Sequence, residues 1–205
     1  MDTAYPVQLS VDYPDRDLDR LTTFFRIFVA IPILFVLASV SASTYETSGR
    51  EVVVGAGGLL FLGPLLMILF RQKYPRWWFD WNLELLRFQN RVGVYFALLD
   101  DRYPSTDGHQ SVRLDFPYPD ARRELNRWLP LVKWFLAIPH YFVLIFLWLA
   151  SFVCVILAWF AILITGRYPQ GLFEFVVGVT RWGNRVLAYA FLLVTDEYPP
   201  FRLEP

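Results

Sequence analysis

The chain has 205 residues, 56% of them apolar and 19% aromatic, with a mean hydropathy of +0.37, whereas an average soluble domain is about 45–50% apolar. Lys plus Arg and Asp plus Glu balance at 19 each, which excludes a global field suited to nucleic acid. The single cysteine, Cys154, excludes an internal disulfide and a cysteine metal site, and reads as a small buried apolar residue.

From Met1 to Thr23 the chain is polar and carries Asp2, Asp12, Asp15, Asp17 and Asp19. It lacks the basic-then-apolar order of a signal peptide, so the first apolar run is expected to stay in place as an internal signal-anchor. Residues 5–13 partly alternate apolar and polar side chains, which predicts a short strand. Phe24 to Val40 and Val52 to Phe70 are apolar runs of the length a membrane span needs. Their one charge, Arg26, lies a turn from the end, where its stem is expected to snorkel to the interface. The polar stretch Ser41 to Glu51 between them reads as an exposed hairpin loop.

After Tyr74-Pro75, residues 77–99 read as an amphipathic helix. Asp80, Glu84, Arg87 and Arg91 recur at steps of three and four, which places them on one stripe among apolar neighbours. A polar linker carrying His109 leads to a second strand-like stretch, 110–118. Leu129 to Thr165 is a single apolar block with Lys133 near its start, and as one helix it would be over ~50 Å long. That excess predicts two spans, about 129–148 and 150–165, joined by a tight turn around Trp148 to Phe152. Residues 171–194 then repeat the amphipathic pattern with Glu174, Arg181 and Arg185.

The two halves match in order. Val7-Gln8-Leu9 returns as Val112-Arg113-Leu114, Ala30-Ile31-Pro32 as Ala137-Ile138-Pro139, and Tyr74-Pro75 as Tyr168-Pro169. Arg87, Asn90, Arg91 and Tyr95 return as Arg181, Asn184, Arg185 and Tyr189. The expected architecture is therefore mainly α and integral to a membrane: a tandem pseudo-twofold repeat, 1–108 and 109–205. Each copy holds a short N-terminal strand, a transmembrane helical hairpin and an amphipathic interfacial helix. The strands of the two copies are candidates to pair with each other. Arg16, Arg20, Arg26, Arg71, Lys73, Arg76, Arg122, Arg123, Arg127, Lys133 and Arg167 flank the spans on one side, which puts both termini in the cytoplasm. An alternative makes the third helices spanning too, with six spans and an inverted second copy.

The candidate binding residues are Arg87, Asn90, Arg91, Arg181, Asn184 and Arg185, because guanidiniums bind phosphate and carboxylate through two parallel hydrogen bonds. Brought together by the pseudo-twofold, they would hold an anionic lipid headgroup or an acidic partner; the plainer alternative is a ladder bonded within its own helix, Glu84 to Arg87 for example. Asp100-Asp101 and Asp196-Glu197 read as solvated turns. His140 is alone, with no further ligand for a metal or haem, and no catalytic motif for acyl or phosphoryl transfer, zinc or dinucleotide chemistry appears. No cofactor and no catalytic residue is expected. Gly55, Gly57, Gly58 and Gly63 allow close helix packing.

Tyr13-Pro14-Asp15 and Tyr118-Pro119-Asp120, the two Ala-Ile-Pro triplets, Arg167-Tyr168-Pro169 and Trp182-Gly183-Asn184-Arg185 together resemble the bacterial membrane proteins grouped as domain-of-unknown-function family 4389. The first copy departs at Lys73 and Gln89, where the second has Arg167 and Gly183. The resemblance implies a multi-pass protein of the bacterial inner (plasma) membrane and no particular chemistry. The expected function is a non-catalytic membrane module that binds anionic lipid or a protein partner, as an accessory subunit of a larger complex or a homo-oligomer. A small oligomeric channel or transporter is the alternative, and an enzyme acting on lipid ranks third.

Overall fold

The computed structural model describes residues 5–47, 50–55, 62–105 and 110–205, with side chains over 40–62 left aside. The described chain is mainly helical. In order it runs β1 (Gln8–Val11), α1 (Arg20–Phe24), α2 (Arg26–Val29), α3 (Ile31–Ser41), β2 (Ala42–Thr47), β3 (Arg50–Gly55), α4 (Leu62–Arg71), α5 (Arg76–Phe96) and β4 (Val112–Asp115). A short 3-10 turn, Leu129–Leu131, leads to α6 (Lys133–Leu136), α7 (Ile138–Thr165) and α8 (Gln170–Leu187), and a π-helical turn over Ala188–Leu192 ends the helical part.

The two strands expected near the chain start and in the linker exist and pair with each other. β1 and β4 run antiparallel with Leu9 opposite Leu114 and Ser10 opposite Arg113. Their alternation buries Leu9, Val112 and Leu114 and exposes Arg113 and Asp115. One face is therefore core and the other water-facing. The amphipathic helices expected over 77–99 and 171–194 are α5 and α8. Pro75 and Pro169 precede them in extended conformation, φ −69° and −63°, as fits residues that cannot continue a helix backwards.

The expected spans differ from the structure. The block from Leu129 to Thr165 is not a hairpin of 129–148 and 150–165. It holds one unbroken helix, α7, of 28 residues, about 42 Å at 1.5 Å per residue. Trp148-Leu149-Ala150-Ser151-Phe152 offers no Gly, Pro, Asn or Asp to turn on, so the backbone keeps its own helical partners. The breaks come earlier. Pro130 and Pro139 each sit in a first turn, and Ala137 closes α6 by donating to the Lys133 carbonyl. Gly166 ends α7 at φ 80°, the left-handed conformation that a helix C-terminus favours and other residues resist.

In the first half, 24–40 is divided among α1, α2 and α3. Asp19 caps α1, its carboxylate accepting from the Leu21 amide at 2.8 Å. Residues 52–70 do not form one helix either. β2 and β3 form an antiparallel ladder, with Tyr45 opposite Val52, where the exposed loop and the start of the second span were expected. Val52-Val53-Val54 and Thr44-Tyr45 favour extended backbone over helix. Beyond it, among the described residues, Leu62–Arg71 is helical. His109, Gly57 and Gly58 lie outside the described residues.

Candidate functional site

α5 and α8 form the centre of the molecule. At about 100° per residue, Arg181, Trp182, Gly183 and Asn184 point to four sides of α8, and each side meets a different neighbour. Arg181 donates from Nε to the Leu9 carbonyl at 3.0 Å. Trp182 donates from Nε1 to His140 Nδ1 on α7 at 3.0 Å. Asn184 faces α5, and Gly183 faces a cavity beside Trp148. α5 repeats this division: Arg87 donates from Nε to the Leu114 carbonyl at 2.9 Å, Phe88 and Val92 pack with Ala30 and Ile33, and Gly93 faces the cavity.

The six residues singled out by sequence thus split into two groups. Asn90 and Asn184 come together, each amide donating to the other's oxygen at 2.9 and 2.7 Å and to its own helix, at Leu86 and Thr180. The four arginines lie on the strand side and donate to the protein itself, with Arg91 Nε and Arg185 Nε left without a partner. Arg87 also pairs with Glu84 and Asp115. Arg91 donates to the Ser105 carbonyl at 2.9 Å, and Arg181 donates from Nη1 to Leu203 at 2.7 Å. Arg185 is fully buried and donates to the carbonyls of Arg202 and Glu204. Burial first, then the guanidiniums of Arg181 and Arg202, lowers its pKa to about 10. Here the arginines tie the strand and the C-terminal tail to the central helices.

Tyrosines complete the same scaffold. The Tyr13 phenol donates to the Tyr168 carbonyl and the Tyr118 phenol to that of Tyr74, so the Tyr-Pro turns are acceptors as well as helix starts. Tyr5 donates to the Glu197 carbonyl, and burial raises its pKa, with the Glu197 charge adding to the effect.

Two cations near the starts of apolar runs are buried, Arg26 among them although it was expected to snorkel to the interface. Arg26, 2% exposed, lies over the Tyr95 ring at 4.1 Å and donates from Nη1 to the carbonyls of Tyr95 and Asp100. Lys133, 0% exposed, lies over the Tyr189 ring, donates to the Thr195 carbonyl at 2.6 Å and pairs with Asp196 at 2.7 Å. Their acceptors lie over sixty residues away, so only the repetition of the two cations hinted at a shared use. Of the acidic pairs, Asp196 answers Lys133, while Asp101 pairs with Arg16. His140 is a core residue, stacked on Phe201 at 4.0 Å. No cluster of His, Cys, Asp or Glu suited to a metal occurs among the described residues.

The face of α5 and α8 turned away from the strands carries a cavity of about 1090 Å³. Leu86, Gly93, Gly183 and Leu187 form its floor, α7 one wall from Tyr141 to Trp159, and Thr23 to Ile27 close one end. Its lining is mostly apolar, with Gln89, Asn90, Thr180 and Asn184 among the polar residues, and four further lining residues carry unpartnered buried atoms: Thr23 Oγ1, Arg26 Nε and Nη2, Tyr141 OH and Ser151 Oγ. The sequence signalled none of these, since they converge only when α1, α2 and α7 meet over the central pair.

α7 is the one helix among the described residues long and apolar enough to cross a membrane. It buries His140, Leu144, Ser151, Ala158 and Ile162 on one stripe and exposes Phe142, Ile145, Leu149, Phe152, Phe160 and Ile164 on the other. Comparison with known proteins finds no match among curated proteins or solved structures. A family model does match, from the turn before α6 into the C-terminal tail: residues 128–202 match the model described as Domain of unknown function (DUF4389).

Proposed function

We propose that this chain is a membrane-embedded, lipid-binding module that lies in one leaflet, with α7 along the membrane plane and the paired strands in water. The carrying observation is the exposed stripe of α7, uncharged over all 28 residues. Leaving six such side chains in water forgoes ~2 kcal/mol each, or about 12 kcal/mol together, a large driving force for insertion. Phe24, Ile27, Phe28, Ile31 and Phe35 extend the same surface along α1 to α3. Trp77, Trp128 and Trp134 are exposed as well and suit headgroup depth.

The in-plane placement is supported by what lies beside α8. β1 follows it lengthwise, from Tyr13 against Phe173 at 4.9 Å, through Leu9 at Arg181, to Tyr5 under Arg185 at 5.8 Å. α7 follows it lengthwise too, from His140 at Trp182 toward Ile162, in the same buried cluster as Val176. A crossing α7 would carry α8 and its strand into hydrocarbon, with exposed Arg113, Asp12 and Asp115, where each charge is costly. Lying flat, α5 and α8 sit at headgroup level, as expected of the amphipathic helices, and the charges on the β1–β4 strands stay out of the lipid.

On this reading the two halves are copies related by an axis through the Asn90–Asn184 pair and the β1–β4 ladder. The like treatment of Arg26 and Lys133, and of Tyr13 and Tyr118, supports it. The bacterial inner membrane implied by the resemblance belongs to the same proposal. Lipid, not a catalysed reaction, is the ligand class that an apolar face and an apolar cavity suit. The test is alkaline carbonate extraction of membranes holding the full chain. It is expected to stay in the pellet, and Leu149→Asp plus Phe152→Asp to release it; release of the unaltered chain would overturn the reading.

A further inference from the structure

The cavity over α5 and α8 holds at one end a buried guanidinium whose charge the protein answers only in part. Lys133 and Arg26 are held alike, each over a tyrosine ring and on backbone carbonyls, but Lys133 has Asp196 at 2.7 Å. Among the described residues Arg26 has no ion pair. The nearby carboxylates are engaged elsewhere, Asp101 with Arg16 and Asp100 with Ser111 Oγ at 2.6 Å. Arg26 is 2% exposed, lines the cavity, and leaves Nε and Nη2 without a partner. Those two donors form one edge of the guanidinium fork, the edge that takes the two oxygens of a carboxylate or phosphate side by side. An unanswered buried charge is costly, so an anion at this edge stabilises the fold as well as binding.

The remainder of the cavity selects the rest of the ligand. From Trp159 to Tyr141 the α7 wall runs ~27 Å at 1.5 Å per residue, and it is apolar apart from the Ser151 and Tyr141 hydroxyls. A volume of about 1090 Å³ sits at the upper end of the usual ~300–1,000 Å³ for small-molecule sites. Thr23 is 0% exposed beside Arg26, so the charged end is closed to solvent. A glycerophosphate headgroup must stay hydrated, whereas a bare carboxylate can be enclosed and satisfied by Arg26 with Thr23 Oγ1. We propose that the cavity is a binding site for a long-chain fatty carboxylate, its head on the Nε–Nη2 edge of Arg26 and its chain along α7 toward Tyr141.

The experiment uses the full chain in detergent, stripped of lipid, and palmitate labelled with carbon-13 at the carboxyl. Saturable one-to-one binding with a shifted carboxyl resonance is expected, and 1-hexadecanol is expected to bind at least ~10-fold more weakly. Gly93 lies on the cavity floor with open space where a side chain would begin. Gly93→Phe is therefore expected to abolish binding while the circular dichroism stays unchanged, and Arg26→Gln to lose the preference for acid over alcohol. Equal affinity for acid and alcohol, binding that survives Gly93→Phe, or saturation by phosphatidylglycerol in place of palmitate would each overturn the proposal. Because membrane embedding rests on the outer face of α7, a chain that resists carbonate yet fails to bind palmitate refutes this site and leaves the embedding intact.

Discussion

Replacing Asn90 by Leu removes one half of the contact that joins α5 to α8. In the structure four hydrogen bonds converge on the two amides, two across the helices and two back to Leu86 and Thr180. Asn90→Leu deletes the two inter-helix bonds and leaves the Asn184 oxygen and one of its N–H groups buried against an apolar side chain. At ~1 to 3 kcal/mol for each buried polar group left unpaired, the single change is expected to destabilise the fold by about 3 kcal/mol, and Asn184→Leu by a similar amount. The double variant leaves no orphan and adds apolar contact, so it is expected to lie within about 1 kcal/mol of the native chain. The coupling is then ~5 kcal/mol, well beyond the few tenths found between independent sites. Equilibrium unfolding in mixed micelles, followed by tryptophan fluorescence, measures all four corners of the cycle. Additive single effects would refute the pairing, and single variants of native stability with altered lipid copurification would return the asparagines to the headgroup role expected from sequence.

Other outcomes follow from the same packing. Lys133→Met removes the ion pair of Asp196, which keeps the Asn126 amide and is partly exposed, and is expected to destabilise by ~1 to 3 kcal/mol; the same micelle titration reads it. Gly178→Ala brings a methyl to 2.8 Å from the Leu203 Cβ and 3.1 Å from its carbonyl oxygen. It is expected to unseat the tail that Arg181 and Arg185 hold, by ~1 to 3 kcal/mol, so limited proteolysis is expected to cut near 200–205 first. Arg185→Met leaves the Glu204 carbonyl without its donor, and tail cleavage is expected there too.

What the sequence disclosed follows from the range of the forces involved. Period-two and period-3.6 patterns are local, so β1, β4, α5 and α8 were legible; that the two strands pair was a candidate, and their antiparallel register came from the structure. The helix α7 was not legible, because the length argument counted the whole apolar block as helix, whereas the breaks at Pro130 and Ala137 leave one helix of 28 residues. Nothing between Trp148 and Phe152 calls for a turn, and α7 keeps its backbone bonds throughout. The β2–β3 ladder was missed for the opposite reason: an apolar run was read as a span, although Val52-Val53-Val54 favours extended backbone. Arginine stripes on α5 and α8 were visible, but not their acceptors, since the carbonyls of Leu9, Ser105 and Leu203 are brought to them only by the fold. The buried ends of Arg26 and Lys133, and the hydroxyls facing the cavity, depend on contacts across the whole chain and left no local trace.

The orientation of α7 is the point on which the membrane reading turns, and spin-label depth along the helix measures it. In a Cys154→Ala background, single cysteines at Phe142, Leu149, Ile156 and Ile164 sample one exposed stripe from end to end. Relative accessibility to oxygen and to a nickel chelate in reconstituted vesicles gives the depth of each. A helix lying in one leaflet puts all four labels at a common depth, ~5 to 10 Å below the headgroups. Labels at 149 and 156 near the middle of a ~30 Å core, with 142 and 164 at opposite surfaces, would contradict the account.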